Sequence, residues 1–173
     1  LDEVPKPSRG TKEALIRTRD QARIQLIGRE KNEPYYEFKD PGNEDFGLKI
    51  LPEPTPEDIF LDFEGNHFAE QGVQEYLTGY VVIDNDDNEV YTPLWARTLQ
   101  EEQQAFEGFI DFAIATRKNN PGAHIYHFAP YEPAALKRLM GRFASRELEL
   151  DELLRGKAFI DLYAVVRRSI VAS

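Results

Sequence analysis

Three short stretches of this 173-residue chain set acids into apolar surroundings, and the first does so twice. In residues 59–64, IFLDFE, a strand's alternation puts Phe60, Asp62 and Glu64 on one face and Ile59, Leu61 and Phe63 on the other. At a rise of about 3.3 Å per residue the two acidic positions stand roughly 7 Å apart, so both carboxylates can converge on a hard cation. Gly65 next to them leaves room for a ligand to approach. The simpler alternative is a strand end emerging into water, where acids cost nothing.

The second stretch is residues 126–136, YHFAPYEPAAL, in which a strand delivers a loop that opens a helix. Glu132 falls in the first helical turn, where the helix dipole favours an acid for reasons unrelated to ligands. The functional alternative makes it a third carboxylate beside Asp62 and Glu64, with His127 and Tyr131 lining the groove. His124 reads as a packed or surface histidine, and His67 as ambiguous. In the third stretch, FIDLY, Asp161 interrupts an apolar strand just before a helix; alone it reads as a cap. Taken together, the three stretches put acids at the ends of three strands of one sheet, as two-metal phosphoryl chemistry requires. The chain has no P-loop, GxSxG or HExxH pattern to compete with that chemistry.

The elements around these residues follow from periodicity. Residues 1–10 read as an extended lead-in, 11–30 as one long helix with a basic face, and 35–38 as a short strand. The Pro-, Gly- and acid-rich segment ending in PEPTPED marks a boundary, giving a connector region 1–55 and a domain 56–173. In that domain, strands at 59–64, 76–84 and 90–94 form an antiparallel meander whose last hairpin turns at 84–88, DNDDN. A helix over 99–118 follows, with Phe106, Phe109, Ile110, Ala113 and Ile114 on one face. Then come a strand at 123–128, helices at 133–143 and 146–154, a strand at 158–162, and a helical pattern over 163–171. The fold class is α/β: a mixed sheet of three antiparallel strands and then alternating helices and strands, preceded by an N-terminal helix.

Composition narrows the function. No apolar run approaches the roughly 18 to 20 residues of a spanning helix, so no membrane partner is expected. Without cysteine there is no disulfide framework, thiolate zinc site or cysteine nucleophile, and the cytoplasm is the default compartment. The net charge of −10 argues against a protein that coats nucleic acid electrostatically. That charge is uneven: residues 1–50 carry 10 basic and 10 acidic groups, 51–136 carry 3 and 16, and 137–173 carry 8 and 5. The acidic middle suits cations, while Lys137, Arg138 or Arg142 can meet a polyanion.

The motif LDFEG resembles the first motif, Asp-x-Glu, of the DEDD 3′ to 5′ exonucleases with a ribonuclease H-like fold. Residues 127–136 keep the spacing of that group's second motif, Asn-x-x-x-Phe-Asp-x-x-x-Leu, with His127 for Asn, Tyr131 for Phe, Glu132 for Asp, and Leu136 unchanged. The longer texture, DIFLDFEGN, YLTGYV, PLWA, HIYHFAPYEPAALKRLM, DELLRG and FIDLYAVVR, is similar to the ribonuclease H-like domain of predicted RecB-like nucleases, over about residues 56–173.

The resemblance implies a metal-dependent nuclease domain using Mg²⁺ or Mn²⁺, part of a longer chain whose other domains are partners and whose third exonuclease motif lies beyond residue 173. Asp62, Glu64 and Glu132 carry over as catalytic and metal-site residues, with Asp161 matching the acid of a later strand. His127, Tyr131, Lys137 and Arg138 are then expected along the nucleic acid. The alternative is a catalytically inactive ribonuclease H-like domain that binds nucleic acid or serves as a scaffold. Two-carboxylate glycoside hydrolysis would also use paired acids, but gives no reason for the spacing from His127 to Leu136.

Overall fold

The computed structural model describes residues 10–39, 46–69 and 72–173, so most of the expected lead-in, residues 1–9, lies outside the described residues. Two compact units are present. One takes the described residues up to Ile50 together with Ala164–Ser173; the other is Leu51–Tyr163.

In the first unit, α1 (Lys12–Lys31) starts at Thr11, whose hydroxyl accepts the Ala14 N–H at 3.1 Å, and stops at Asn32 in the left-handed conformation (φ 53°). β1 (Tyr36–Phe38) pairs antiparallel with β7 (Ile170–Ala172), Tyr36 opposite Ala172 and Phe38 opposite Ile170. This corrects the helix expected over 163–171. The helix, α5 (Leu162–Ser169), ends one residue before the strand. The amphipathic pattern continues past Ser169, but the backbone groups of 170–172 are taken by β1, a pairing that local periodicity cannot register.

The second unit holds β2 (Ile59–Asn66), β3 (Gln74–Ile83), β4 (Glu89–Trp95), α2 (Leu99–Asn119), β5 (Ile125–His127), α3 (Tyr131–Phe143), α4 (Glu147–Arg155) and β6 (Phe159–Asp161). Its sheet runs in the order β4-β3-β2-β5-β6. β2, β3 and β4 are antiparallel, whereas β5 and β6 join parallel to β2 through helical crossovers. This is the mixed α/β sheet expected, with β2 at its centre. The acidic turn is an Asx turn, Asp84 accepting the N–H groups of Asp86 and Asn88 at 2.9 Å each.

Burial along β2 follows the alternation: Ile59, Leu61 and Phe63 are buried, and Phe60, Asp62 and Glu64 are exposed. The buried set packs with Phe106, Phe109, Ile110, Ala113 and Ile114 of α2, Leu136 and Leu139 of α3, and Leu150 and Leu153 of α4. Full burial of each large apolar side chain contributes about 1.5 to 3 kcal/mol, so this face sets the register of β2. The opposite face is left to the acids.

α2 is aligned by a reciprocal cap. Thr98 Oγ1 accepts the Glu101 N–H at 3.2 Å, and Glu101 accepts the Thr98 N–H at 3.0 Å. Thr98→Ala is expected to cost about 1 kcal/mol, read as a lower urea midpoint at unchanged slope. Among the described residues no helix is long and apolar enough to cross a membrane.

Candidate functional site

β5 and β6 end together while β2 runs on: Phe60 stands opposite Tyr126, and His127 opposite Asp161, so Asp62, midway along β2, lies just past the level where β5 and β6 stop. In an open α/β sheet this edge is where ligands bind. Phe60 and Tyr126 stack at 5.3 Å on the face that carries Asp62. Across the other neighbour, Asp62 faces Gly79, where a Cβ would lie 2.7 Å from the Tyr91 hydroxyl. Glycine there lets the Tyr91 ring lie against the sheet beside the acid.

Glu64 and Glu132 act on Asp62. Partial burial pushes the Asp62 carboxyl above the usual aspartate range, and the negative charges of Glu132 and Glu64 push the same way, against a hydrogen bond from the Phe63 N–H. Glu132 is 3% exposed, and its Oε2 is a buried oxygen without a hydrogen-bond donor. His127 Nδ1 lies 3.3 Å from that oxygen, yet it also lies 2.7 Å from Ala129 O. A carbonyl can only accept, so Nδ1–H donates to Ala129 and is directed away from the carboxylate. Ala129 sits at φ 71°, a conformation that costs a non-glycine residue energy, and is held there by His127 on its carbonyl and Asp161 on its N–H.

Asp161 is engaged differently from the other three acids. Its Oδ1 accepts the N–H groups of Ala129 at 3.0 Å and Tyr163 at 2.9 Å, clamping the loop after β5 to the start of α5. It shares a side of the pleat with His127, and Asp62 shares the other with Tyr126. Among the described residues no group of three or more His, Asp and Glu side chains is close enough, as they stand, to hold a metal ion. Asp62, Glu64 and Glu132 nonetheless offer hard oxygens of the kind Mg²⁺ or Mn²⁺ takes: crowded, in part desolvated, and in one case lacking a hydrogen bond.

The residues expected along nucleic acid fall into two sets. Lys137 is exposed on α3. His127 is buried, whereas Tyr131 and Arg138 are tied to Glu75, an acid that sequence reasoning passed over. The Tyr131 hydroxyl is 3.1 Å from both oxygens of Glu75, and the Arg138 guanidinium donates to Oε1. Glu75 is 1% exposed, and burial holds its carboxyl above the usual glutamate range although Arg138 and Tyr131 pull it down. A second buried acid, Glu102, accepts the Glu75 N–H at 2.7 Å and pairs with Arg142 at 3.0 Å. Arg142 also donates to Val73 O, so it too is held by the protein.

The Glu75 cluster explains Gly65. A Cβ at that position would collide with the Tyr131 hydroxyl and lie 2.6 Å from Glu75 Oε2. The space that a side chain at Gly65 would take is therefore filled from within. The register of β2 and β3 shifts between Glu64 and Gly65, with Glu64 opposite Leu77 and Gly65 opposite Glu75, so Tyr76 is the extra residue of a β-bulge. The bulge turns Glu75 towards α3 and Tyr76 towards Trp95. The spacing of Tyr131 and Arg138, two helical turns apart and on one side of α3, was the available sign of a shared partner.

Comparison with curated proteins yields no match, and comparison with solved structures yields none. A family model described as the RNase H superfamily matches residues 59–173, from the first residue of β2 to the end of β7 and beyond. A match over that much of the chain, on a five-stranded sheet with two parallel additions to an antiparallel meander, makes the chain a member of the RNase H superfamily.

Proposed function

We propose that this domain is a metal-dependent nuclease that hydrolyses nucleic-acid phosphodiester bonds, 3′ to 5′ in direction, within a larger RecB-like nuclease. The observation that carries this reading is Asp62, on the central strand β2 and crowded by Glu64 and Glu132 just past the ends of β5 and β6. Asp62, Glu64 and Glu132 would hold Mg²⁺ or Mn²⁺, which when bound supplies an acidified water and neutralises charge developing on the phosphate. Asp62 and Glu64, on the accessible face of β2, present carboxylates to the substrate side. Glu132 is fixed from behind by its helix and by the wall of His127. Asp161 acts as a positioning residue, holding the Ala129 loop from which α3 starts.

A second reading, a catalytically inactive ribonuclease H-like scaffold, is favoured by one observation: no three ligating side chains stand close enough, among the described residues, to hold a metal ion. The two are separated by incubating the chain with single strands labelled at either end, in Mn²⁺ and in EDTA. The nuclease reading expects a ladder shortened from the 3′ end, in Mn²⁺ only. Intact strands under both conditions favour the scaffold, and cleavage that persists in EDTA refutes metal dependence.

A further inference from the structure

We infer that Tyr76 and Trp95 form a stacking platform for a base of single-stranded nucleic acid, a subsite that rests on reading Asp62, Glu64 and Glu132 as nuclease acids. The two rings lie 20° from parallel with centroids 6.3 Å apart. They remain 38% and 59% exposed, so both rings are open to a ligand from solvent. Together they wall a cavity of about 560 Å³ that Asn66, Gln74 and Arg97 complete, within the usual size range of small-ligand sites. Asn66 and Gln74 are held there, the first accepting the Phe68 N–H at 2.9 Å and the second donating to Ala96 O at 3.2 Å. The bulge is what brings Tyr76 to this side of the sheet.

Two observations select a nucleic-acid strand as the occupant. Glu64, Leu77 and Trp95 are successive cross-strand partners, so Trp95 stands two strand spacings, about 10 Å, from Glu64. A base on the platform thus belongs to a nucleotide whose own or neighbouring phosphate reaches the acids. Arg97 is the one Lys or Arg between residues 50 and 117, and it lines both this cavity and an adjoining one of about 430 Å³. The positive charge of this otherwise acidic stretch is therefore set beside the rings, where a second phosphate would pass. Residues 51–136 carry 16 acids against 3 bases, so a strand seated here is held more by base stacking than by phosphate attraction. Stacking on aromatic side chains tolerates any sequence and changes affinity by about 10- to 100-fold per base.

The chain contains one tryptophan, so its fluorescence reports the platform directly. In EDTA, where hydrolysis is blocked, titrating the chain with short oligothymidylate is expected to quench Trp95 emission. An abasic strand of equal length, with phosphates but no bases, should leave that emission unchanged. By anisotropy of the labelled oligonucleotide, Trp95→Ala should weaken binding by about 10- to 100-fold and Trp95→Phe by far less. In Mn²⁺, the same loss should appear as a raised KM with kcat nearly kept. Binding without quenching, equal affinity in Trp95→Ala, or quenching by a proline-rich peptide in place of the oligonucleotide overturns the platform. If oligothymidylate quenches Trp95 but wild type cleaves nothing in Mn²⁺, the platform stands and the nuclease reading falls. If Trp95→Ala cleaves with an unchanged KM, the reverse holds.

Discussion

Asp62→Asn is expected to lower phosphodiester hydrolysis by the chain about a thousandfold, the kinetic equivalent of roughly 4 kcal/mol. The substitution keeps the shape of the side chain and removes both its charge and one hard oxygen from the point where Glu64 and Glu132 meet. Without metal, the same change should stabilise the fold at neutral pH. Asp62 titrates above its ordinary range in the folded chain, so the folded state binds its proton more tightly than the unfolded state does. Below the ordinary aspartate range both states are protonated, and wild type and variant should be close in stability. As pH rises through the raised value, wild type loses stability that the variant retains. Mn²⁺ should invert the order: a cation at a hundred times its dissociation constant adds about 2.7 kcal/mol to wild type and little to the variant. Melting both proteins in EDTA and in Mn²⁺ from acid to neutral pH checks each part. An equal Mn²⁺ shift in the two proteins would sink the metal site.

Arg138→Met is expected to destabilise the fold by about 3 to 5 kcal/mol, because it leaves the Glu75 carboxylate buried with only the Tyr131 hydroxyl beside it. Glu75 already sits above the usual glutamate range by burial, and losing Arg138 removes the charge that most opposes the rise. The folded variant should therefore hold the Glu75 proton still more tightly. Its deficit grows as pH rises through that value and shrinks on acidification. Adding Glu75→Gln to Arg138→Met should recover much of the loss at neutral pH, since a neutral amide is cheaper to bury than an unpaired carboxylate. Urea unfolding of the two variants decides it. A deficit under about 1 kcal/mol for Arg138→Met would mean that the Arg138–Glu75 pair does not hold α3 to the sheet.

Where the sequence was informative, one physical cause dominated. Burial of one face of β2 separates Ile59, Leu61 and Phe63 from Phe60, Asp62 and Glu64, and period two reveals that directly. The apolar stripe of α2 from Phe106 to Ile114 is legible for the same reason. Pro133 misled by two residues: it reads as a first helical position, but α3 starts at Tyr131. First-turn N–H groups lack helical acceptors anyway, so proline fits anywhere in that turn. Glu75 and Glu102 were invisible because their partners, Arg138 and Arg142, lie 63 and 40 residues away, and pattern reading treats an acid as solvated. Glu132 could be placed near Asp62 from a motif's spacing, but its missing hydrogen bond depends on where a neighbouring histidine sends its proton.

The pairing of β1 with β7 has a consequence for the order of events during folding. Tyr36 can meet Ala172 only after the whole of Leu51–Tyr163 has been made, and closing so long a loop costs entropy that no local contact repays. Prior collapse of Leu51–Tyr163 shortens the disordered path between the two strands, so the small sheet should assemble last. On a ribosome, α1 would wait for the final residues of this stretch before gaining its partners, among them the bond from Gln21 to Ala172 O. In pulsed hydrogen exchange, the amides of β2, β3 and β5 should gain protection before those of Phe38 and Ile170. Residues made before Leu51–Tyr163 would become native after it.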